Sequence, residues 1–276
     1  MKIVLLTFDS VYANIILNKV AKHLKNDKVI LIKSKEYSHE HYPFFKMLAK
    51  TLRDNGVRMT CYLYLYIIFY RYLIYFTNIL NKIFFRKNYP RPLNTIARKN
   101  TIKVYTKKDI NSKSSLKIIK KFKPDVIFSF HYDQIIGNEL LKIPKKGIVN
   151  LHYSYLPFYK GLFSNFWEIV NKEKHGGVSL FVMDKGVDTG KVIIEKKIRI
   201  LPDDTLFSLN CRCSSKMGDL MVDVLEDVEK GKHLKLKKQK KVRSYFSFPH
   251  IKDIKKFKKM GRKFMSCGEY LAFFFK

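Results

Sequence analysis

Three polar side chains between residues 147 and 190 have the types and spacing that suit acyl transfer. Asn150 and His152 sit two apart in GIVNLH (147–152), an apolar run that reads as a strand. Side chains alternate across a strand, so both face the same side. Pro157, Tyr159 and Gly161 then signal a loop, which puts the pair at the strand's end. The C-terminal end of a parallel strand is where open α/β sheets bind ligands. A second polar loop, Asp184-Lys185-Gly186-Val187-Asp188-Thr189-Gly190, follows the next strand, VSLFVM (178–183). If the two strands are neighbours, Asp188 can approach His152.

An amide, an imidazole and a carboxylate suit acyl transfer to an amine. A carbonyl oxygen, that of a formyl group for instance, gathers negative charge under attack, and the Asn150 N–H can stabilise it. His152 can take the proton the amine sheds or hand one to the leaving nitrogen. Asp188 would orient the imidazole, favour its charged form and help order a relaying water. No covalent intermediate is needed. Ser154 lacks the G-x-S-x-G setting of a nucleophile. Each residue alone has a plainer explanation: a structural histidine, a turn aspartate, an asparagine capping a turn. The combination singles them out.

The elements that must hold these residues follow an α/β rhythm. KIVLLTF (2–8) reads as a buried strand ending at the polar turn Asp9-Ser10. Ile15, Ile16, Val20 and Leu24 then fall on one helical face, and KVILI (28–32) is a second strand. This β-α-β order implies a parallel sheet with right-handed crossovers. The rhythm resumes at TIKVY (101–105), with a helix around 115–123 and strands at 125–130, 147–152, 178–183 and 192–200. Pro202-Asp203-Asp204 opens a long helix from Thr205 to about Lys230, near Gly231. The expected fold is α/β, a Rossmann-like doubly wound, mostly parallel sheet over residues 1–230. A helical, aromatic-rich insert occupies about 35–100, and 231–276 forms a short, basic C-terminal extension.

N-L-H-x-S-x-L-P-x-Y-x-G, then Trp167, then M-D-x-G-V-D-T-G closely resembles the folate-dependent formyltransferase family. The likeness covers about residues 100–230 well and 1–34 in outline. The resemblance implies that Asn150, His152 and Asp188 are the catalytic residues and that N10-formyltetrahydrofolate is the co-substrate, with no metal. It further implies a folate pocket lined by the loop Phe130–Ile136 and by Asp184–Asp188, with Phe130, Tyr132, Gln134, Ile135, Asp184 and Val187 as cofactor-binding residues. LPDDT (201–205) resembles the start of the family's closing helix. Three departures stand out. Gly137 replaces a usual proline after the folate loop. Thr7-Phe8-Asp9-Ser10 replaces the Gly-rich phosphate loop of the glycinamide ribonucleotide enzymes. About 45 residues after Lys230 are too few for the C-terminal barrel of the tRNA enzymes.

Length and composition set the outer limits. The 276 residues suffice for one large or two modest domains, and 46% hydrophobic residues exclude wholesale disorder. Lys plus Arg is 55 against 23 Asp plus Glu, a net +32 that attracts polyanions. An A/T-rich codon bias explains the same lysine surplus. Cys61, Cys211, Cys213 and Cys267 lack metal-ligand spacing and read as free thiols in a reducing cytoplasm. MKIVLLTFDS lacks the pattern of a signal peptide.

The insert admits three readings. MTCYLYLYIIFY (59–70) and YLIYFTNILNKIFF (72–85) are apolar runs broken by Arg71. Spanning a bilayer would bury that central charge, at a cost of at least a few kcal/mol. The helices can instead pack on the domain and on C-terminal aromatics such as Phe273 and Phe274. They can also lie on the inner membrane surface, with Lys82, Arg86 and Lys87 beside them.

The expected acceptor is an amino sugar, nucleotide- or lipid-linked, which fits a missing barrel and a membrane-leaning insert. The alternative is methionyl-tRNA, favoured by the net charge and disfavoured by an aromatic insert where a phosphate-binding arm should be basic. Hydrolysis of formyl-folate and a non-catalytic folate-binding module rank below these two.

Overall fold

The run Lys2–Thr7 forms β1, buried after its first residue, as a strand covered on both faces must be. Ser10 then caps α1 (Val11–Val20), its Oγ accepting from the Ala13 N–H. β2 (Lys28–Ser34) lies parallel to β1, with Lys28 beside Lys2 and Lys33 beside Thr7. The computed structural model describes residues 1–24, 27–35, 44–84, 90–242 and 244–275.

Next come α2 (Phe44–Leu63), a π-helical turn at Tyr64–Phe69, α3 (Tyr70–Ile83) and α4 (Leu93–Lys99). The sheet resumes with β3 (Lys103–Lys107), and Ser112 caps α5 (Lys113–Phe122). β4 (Val126–Phe130), α6 (Asn138–Leu141) and β5 (Ile148–His152) follow. Then come β6 (Lys160–Gly161), α7 (Ser164–Val170), β7 (His175–Val182) and β8 (Val192–Arg199). A capping box between Thr205 and Ser208 opens α8 (Leu206–Glu229). β9 (Tyr245–Phe246), α9 (Ile251–Lys259) and α10 (Cys267–Phe275) complete the chain.

Among the described residues, seven strands form one sheet in the order β3-β2-β1-β4-β5-β7-β8. The first five are parallel, and β7 and β8 are antiparallel. Strand alternation divides the interior in two. Ile3, Leu5, Phe128 and Val149 face the larger core with α1 and α8. Val4, Leu6, Ile127 and Ile148 face a smaller one that includes Leu116 and Ile119 of α5. This is the α/β architecture expected from the strand and helix pattern.

The insert is helical, and its inner face is part of the larger core. Tyr70 packs on Phe273 and Phe274 of α10, with ring centroids 6.3 and 6.0 Å away. Asn81 Nδ2 donates to the Phe274 carbonyl at 3.2 Å. Phe85, Arg86 and Lys87, invoked above as the end and basic flank of this segment, lie outside the described residues. No described helix is long and apolar enough to cross a membrane. The residues after Gly231 also close onto the body. Phe257 stacks on Phe166 with centroids 5.0 Å apart, and Ile254, Tyr270 and Phe274 are buried. Tyr245 and Phe246 form β9, which pairs with Lys160 and Gly161 of β6.

Candidate active site

Asn150 and His152 lie on one face of β5, the half-buried amide below the buried ring. Their neighbour β7 runs antiparallel, with Val182 opposite Val149 and Ser179 opposite His152. The 184–190 loop therefore leaves the sheet beside the start of β5, where Met183 N–H donates to the Ile148 carbonyl at 2.8 Å. To reach His152 it must return along β5, so the three residues do not gather at the edge of purely parallel strands. It does return: Asp188 Oδ2 is 3.6 Å from His152 Nδ1.

Backbone contacts hold that return in place. Asp188 has a left-handed φ of 51°, its Oδ2 accepts from Gly161 N–H at 2.8 Å, and Gln239 Nε2 donates to its carbonyl at 2.9 Å. Gly161 itself has φ 93°, and a Cβ there would lie 2.2 Å from the Phe246 carbonyl, so only glycine fits beside β9.

The other nitrogen of His152 faces a different partner. Nε2 lies 3.1 Å from the Tyr159 carbonyl and 3.4 Å from Ser164 Oγ, and that hydroxyl donates to the same carbonyl at 2.8 Å. A carbonyl can only accept, so Nε2 carries the proton. Nδ1 is then the atom free to gain and lose one, on the side of Asp188. The Asn150 amide makes no side-chain hydrogen bond among the described residues.

All three line a cavity of about 460 Å³. Tyr132, Gln134, Ile135, Asp184 and Val187 also line it. Phe130 does not: its side chain is fully buried in the larger core. The period-two pattern of β4 turns Phe130 away and presents Ser129, the register partner of Asn150, to the cavity. Gln134 borders the cavity, but both ends of its amide brace the loop. Its Oε1 accepts from Ile110 N–H at 2.7 Å, and its Nε2 donates to the Lys108 carbonyl at 2.9 Å. Asp184 is likewise engaged in its own turn, accepting from Gly186 N–H and Thr189 Oγ1. At Gly137 the backbone N–H donates to Asn111 Oδ1 at 2.7 Å, a bond proline cannot make.

The further wall of the cavity was not legible as a site. It includes Phe8, Tyr12, Tyr62, Phe163 and Tyr245, from four separate stretches of chain. The Tyr12 and Tyr62 hydroxyls meet at 2.6 Å, and Asn210 Nδ2 donates to both at 3.3 Å. Burial raises the pKa of both phenols, so they stay neutral. Tyr62 comes from the helical insert, on α2. The sequence carries no spacing signal for this wall.

His131, on the same wall, is boxed by Phe8 at 4.6 Å, Tyr12 at 5.2 Å and Tyr153 at 5.8 Å between centroids. Burial lowers its pKa from the usual 6.5 to about 3. An unfolded chain would bind the proton first as pH falls, so this residue's share of stability is lost between 6.5 and about 3. An NMR titration should find the His131 ring neutral through that window. His131→Asn should lessen the loss of melting temperature on the acid side. A ring titrating at its ordinary value would show that water reaches the box.

A family model described as formyl transferase matches residues 84–225, 51% of the chain by its limits (142 of 276). The chain belongs to the formyl transferase family. It is 35% identical over 142 residues to a methionyl-tRNA formyltransferase of Halothermothrix orenii, covering 51% of this chain and 45% of that protein. A methionyl-tRNA formyltransferase of Dictyoglomus thermophilum is 35% identical over 161 residues, 58% of this chain and 52% of its own length. The chain thus spans about half the length of the curated relatives it matches. Among solved structures, an N-formyltransferase from Helicobacter canadensis, in complex with folinic acid and dTDP-3-aminofucose, aligns with TM-score 0.58 at 24% identity. That alignment covers 90% of this chain and 71% of that one. The sugar 3N-formyl transferase WlaRD aligns with TM-score 0.56 at 23% identity, covering 90% and 69%. These likenesses establish the fold.

Proposed function

We propose that the chain transfers the formyl group of N10-formyltetrahydrofolate to the primary amine of an amino sugar, nucleotide- or lipid-linked. The observation that carries this reading is the Asn150–His152–Asp188 set, open to one cavity between the folate-type loops and an aromatic wall. The donor supplies a formyl carbon carried on N10, the aniline-type nitrogen outside the pterin ring, and the bond to N10 breaks as the bond to the amine forms. Asn150 Nδ2 would donate to the formyl oxygen as charge builds there. His152 would accept the amine's proton at Nδ1 and return it to the leaving nitrogen. Asp188 would stabilise the imidazolium between those two transfers and help order a relaying water.

The loops fit a flat, partly polar ring. Ile135 and Val187, both largely exposed, flank the mouth, and the buried Tyr132 hydroxyl has no partner among the described residues. The volume is within the range of small-molecule sites. A folate analogue held near 100-fold above its Kd should stabilise the fold by about 2.7 kcal/mol. No melting shift at saturation would remove the folate from this reading.

Support for a sugar acceptor comes from the aromatic wall, since amphipathic aromatic faces suit the C–H face of a sugar ring. The fold neighbour co-crystallised with dTDP-3-aminofucose is in keeping with it. Methionyl-tRNA is the second reading, favoured by the 35% identity to methionyl-tRNA formyltransferases and by the net +32. One assay separates them. The protein is given N10-formyltetrahydrofolate with amino-sugar nucleotides or with methionyl-tRNA, and release of tetrahydrofolate is followed. Turnover confined to the sugar panel is the expected result; turnover confined to the charged tRNA would replace it with the second reading.

A further inference from the structure

On α3 the usual arrangement of a helix packed on a globular body is partly inverted. Thr77, Asn78 and Asn81 are buried together with Tyr70 and Ile74. Phe69 in the preceding turn and Tyr72, Phe76, Ile79 and Ile83 of the helix are 52–73% exposed. At 3.6 residues per turn these five fall on one stripe. The stripe is not a remnant of the core, because the core side of the helix is the one carrying the amides. α10 packs against α3, and its Leu271 and Phe275 add exposed apolar surface to this part of the molecule.

Charge decides between the occupants such a stripe could have. From residue 44 to residue 84 the sequence has one acid, Asp54, against Lys46, Lys50, Arg53, Arg58, Arg71 and Lys82. Arg71 and Lys82 are exposed, lie along one edge of the stripe and pair with no acid among the described residues. Long basic side chains beside an apolar stripe can extend their charges to lipid headgroups while the stripe enters the acyl boundary. A second copy would bring its own +32 to the contact, so self-association works against the field that favours an anionic surface.

We infer that α3 is a docking helix that lies in the surface of an anionic lipid bilayer, with Tyr72, Phe76, Ile79 and Ile83 inserted and Arg71 and Lys82 at the headgroups. The inference is independent of the acceptor, and a protein without formyl transfer activity could still pass its test.

Flotation of the intact chain with phosphatidylglycerol/phosphatidylcholine vesicles at low salt is that test. Most of the protein should float, and at least several-fold less should float with phosphatidylcholine alone. The variant Phe76→Ser/Ile79→Ser/Ile83→Ser, changed only at exposed positions, should lose flotation and keep its melting temperature. Arg71→Glu/Lys82→Glu should weaken flotation with its melting temperature likewise unchanged. Wild-type protein left in the bottom fraction would overturn the inference, as would a serine variant that floats equally well. So would sedimentation showing a wild-type dimer that the serine variant dissolves while flotation is untouched.

Discussion

His152→Gln is expected to lower turnover by about 10²–10⁴-fold, the usual worth of a positioned acid–base group. The choice of glutamine follows from the two faces of the ring. Its amide N–H can replace Nε2 as donor to the Tyr159 carbonyl, so the loop that carries Tyr159 and Ser164 keeps its anchor. What is lost is Nδ1, 3.6 Å from Asp188, the position at which the proton is proposed to move. Melting of the variant, and its shift with a folate analogue, should match the parent. Near-normal turnover in a folded, folate-binding variant would show that proton transfer runs through another group, and the proposed division of labour would fall.

The second large effect belongs to Asn150. Removal of one donor to a developing oxyanion costs about 10²–10³-fold in turnover. Asn150→Ala should show a loss of that size, concentrated in the chemical step, with little change in the KM for the amine. Its amide makes no side-chain hydrogen bond among the described residues, so the truncation breaks no bond within the described protein and should leave stability nearly unchanged. Asn150→Asp is the sharper probe. It keeps the shape, removes the donor and sets a negative charge against the formyl oxygen, so it should fall at least as low as alanine. A KM effect without a loss in turnover would make Asn150 a binding group only.

How far the site could be read in advance follows from the range of the forces involved. Asn150 and His152 share a face because a strand alternates, and two residues of spacing are enough to establish that. β1, β2 and β4 announce themselves as apolar runs because both faces of a parallel sheet are covered. Ser10, Ser112 and Thr205 cap helices through contacts three residues away. The same local rule, applied to β4, would have kept Phe130 out of the cavity, since Ser129 and Phe130 cannot both face it.

The sequence by itself therefore determined the α/β rhythm, the pairing of Asn150 with His152 and, through the spacing of its motifs, the family. The tertiary structure alone decided the rest. β7 runs antiparallel to β5, and only a left-handed Asp188 held by Gly161 and Gln239 brings its carboxylate back to the imidazole. The Tyr159 carbonyl selects which nitrogen of His152 carries the proton. Tyr62 reaches the cavity wall from an insert 90 residues before His152, while the far side of that insert stays bare. The physical reason is common to all of these. Hydrogen-bond periodicity and capping act over two to four residues and leave a mark in spacing. Packing across a sheet joins residues with no fixed separation, so its outcome is written in no local pattern.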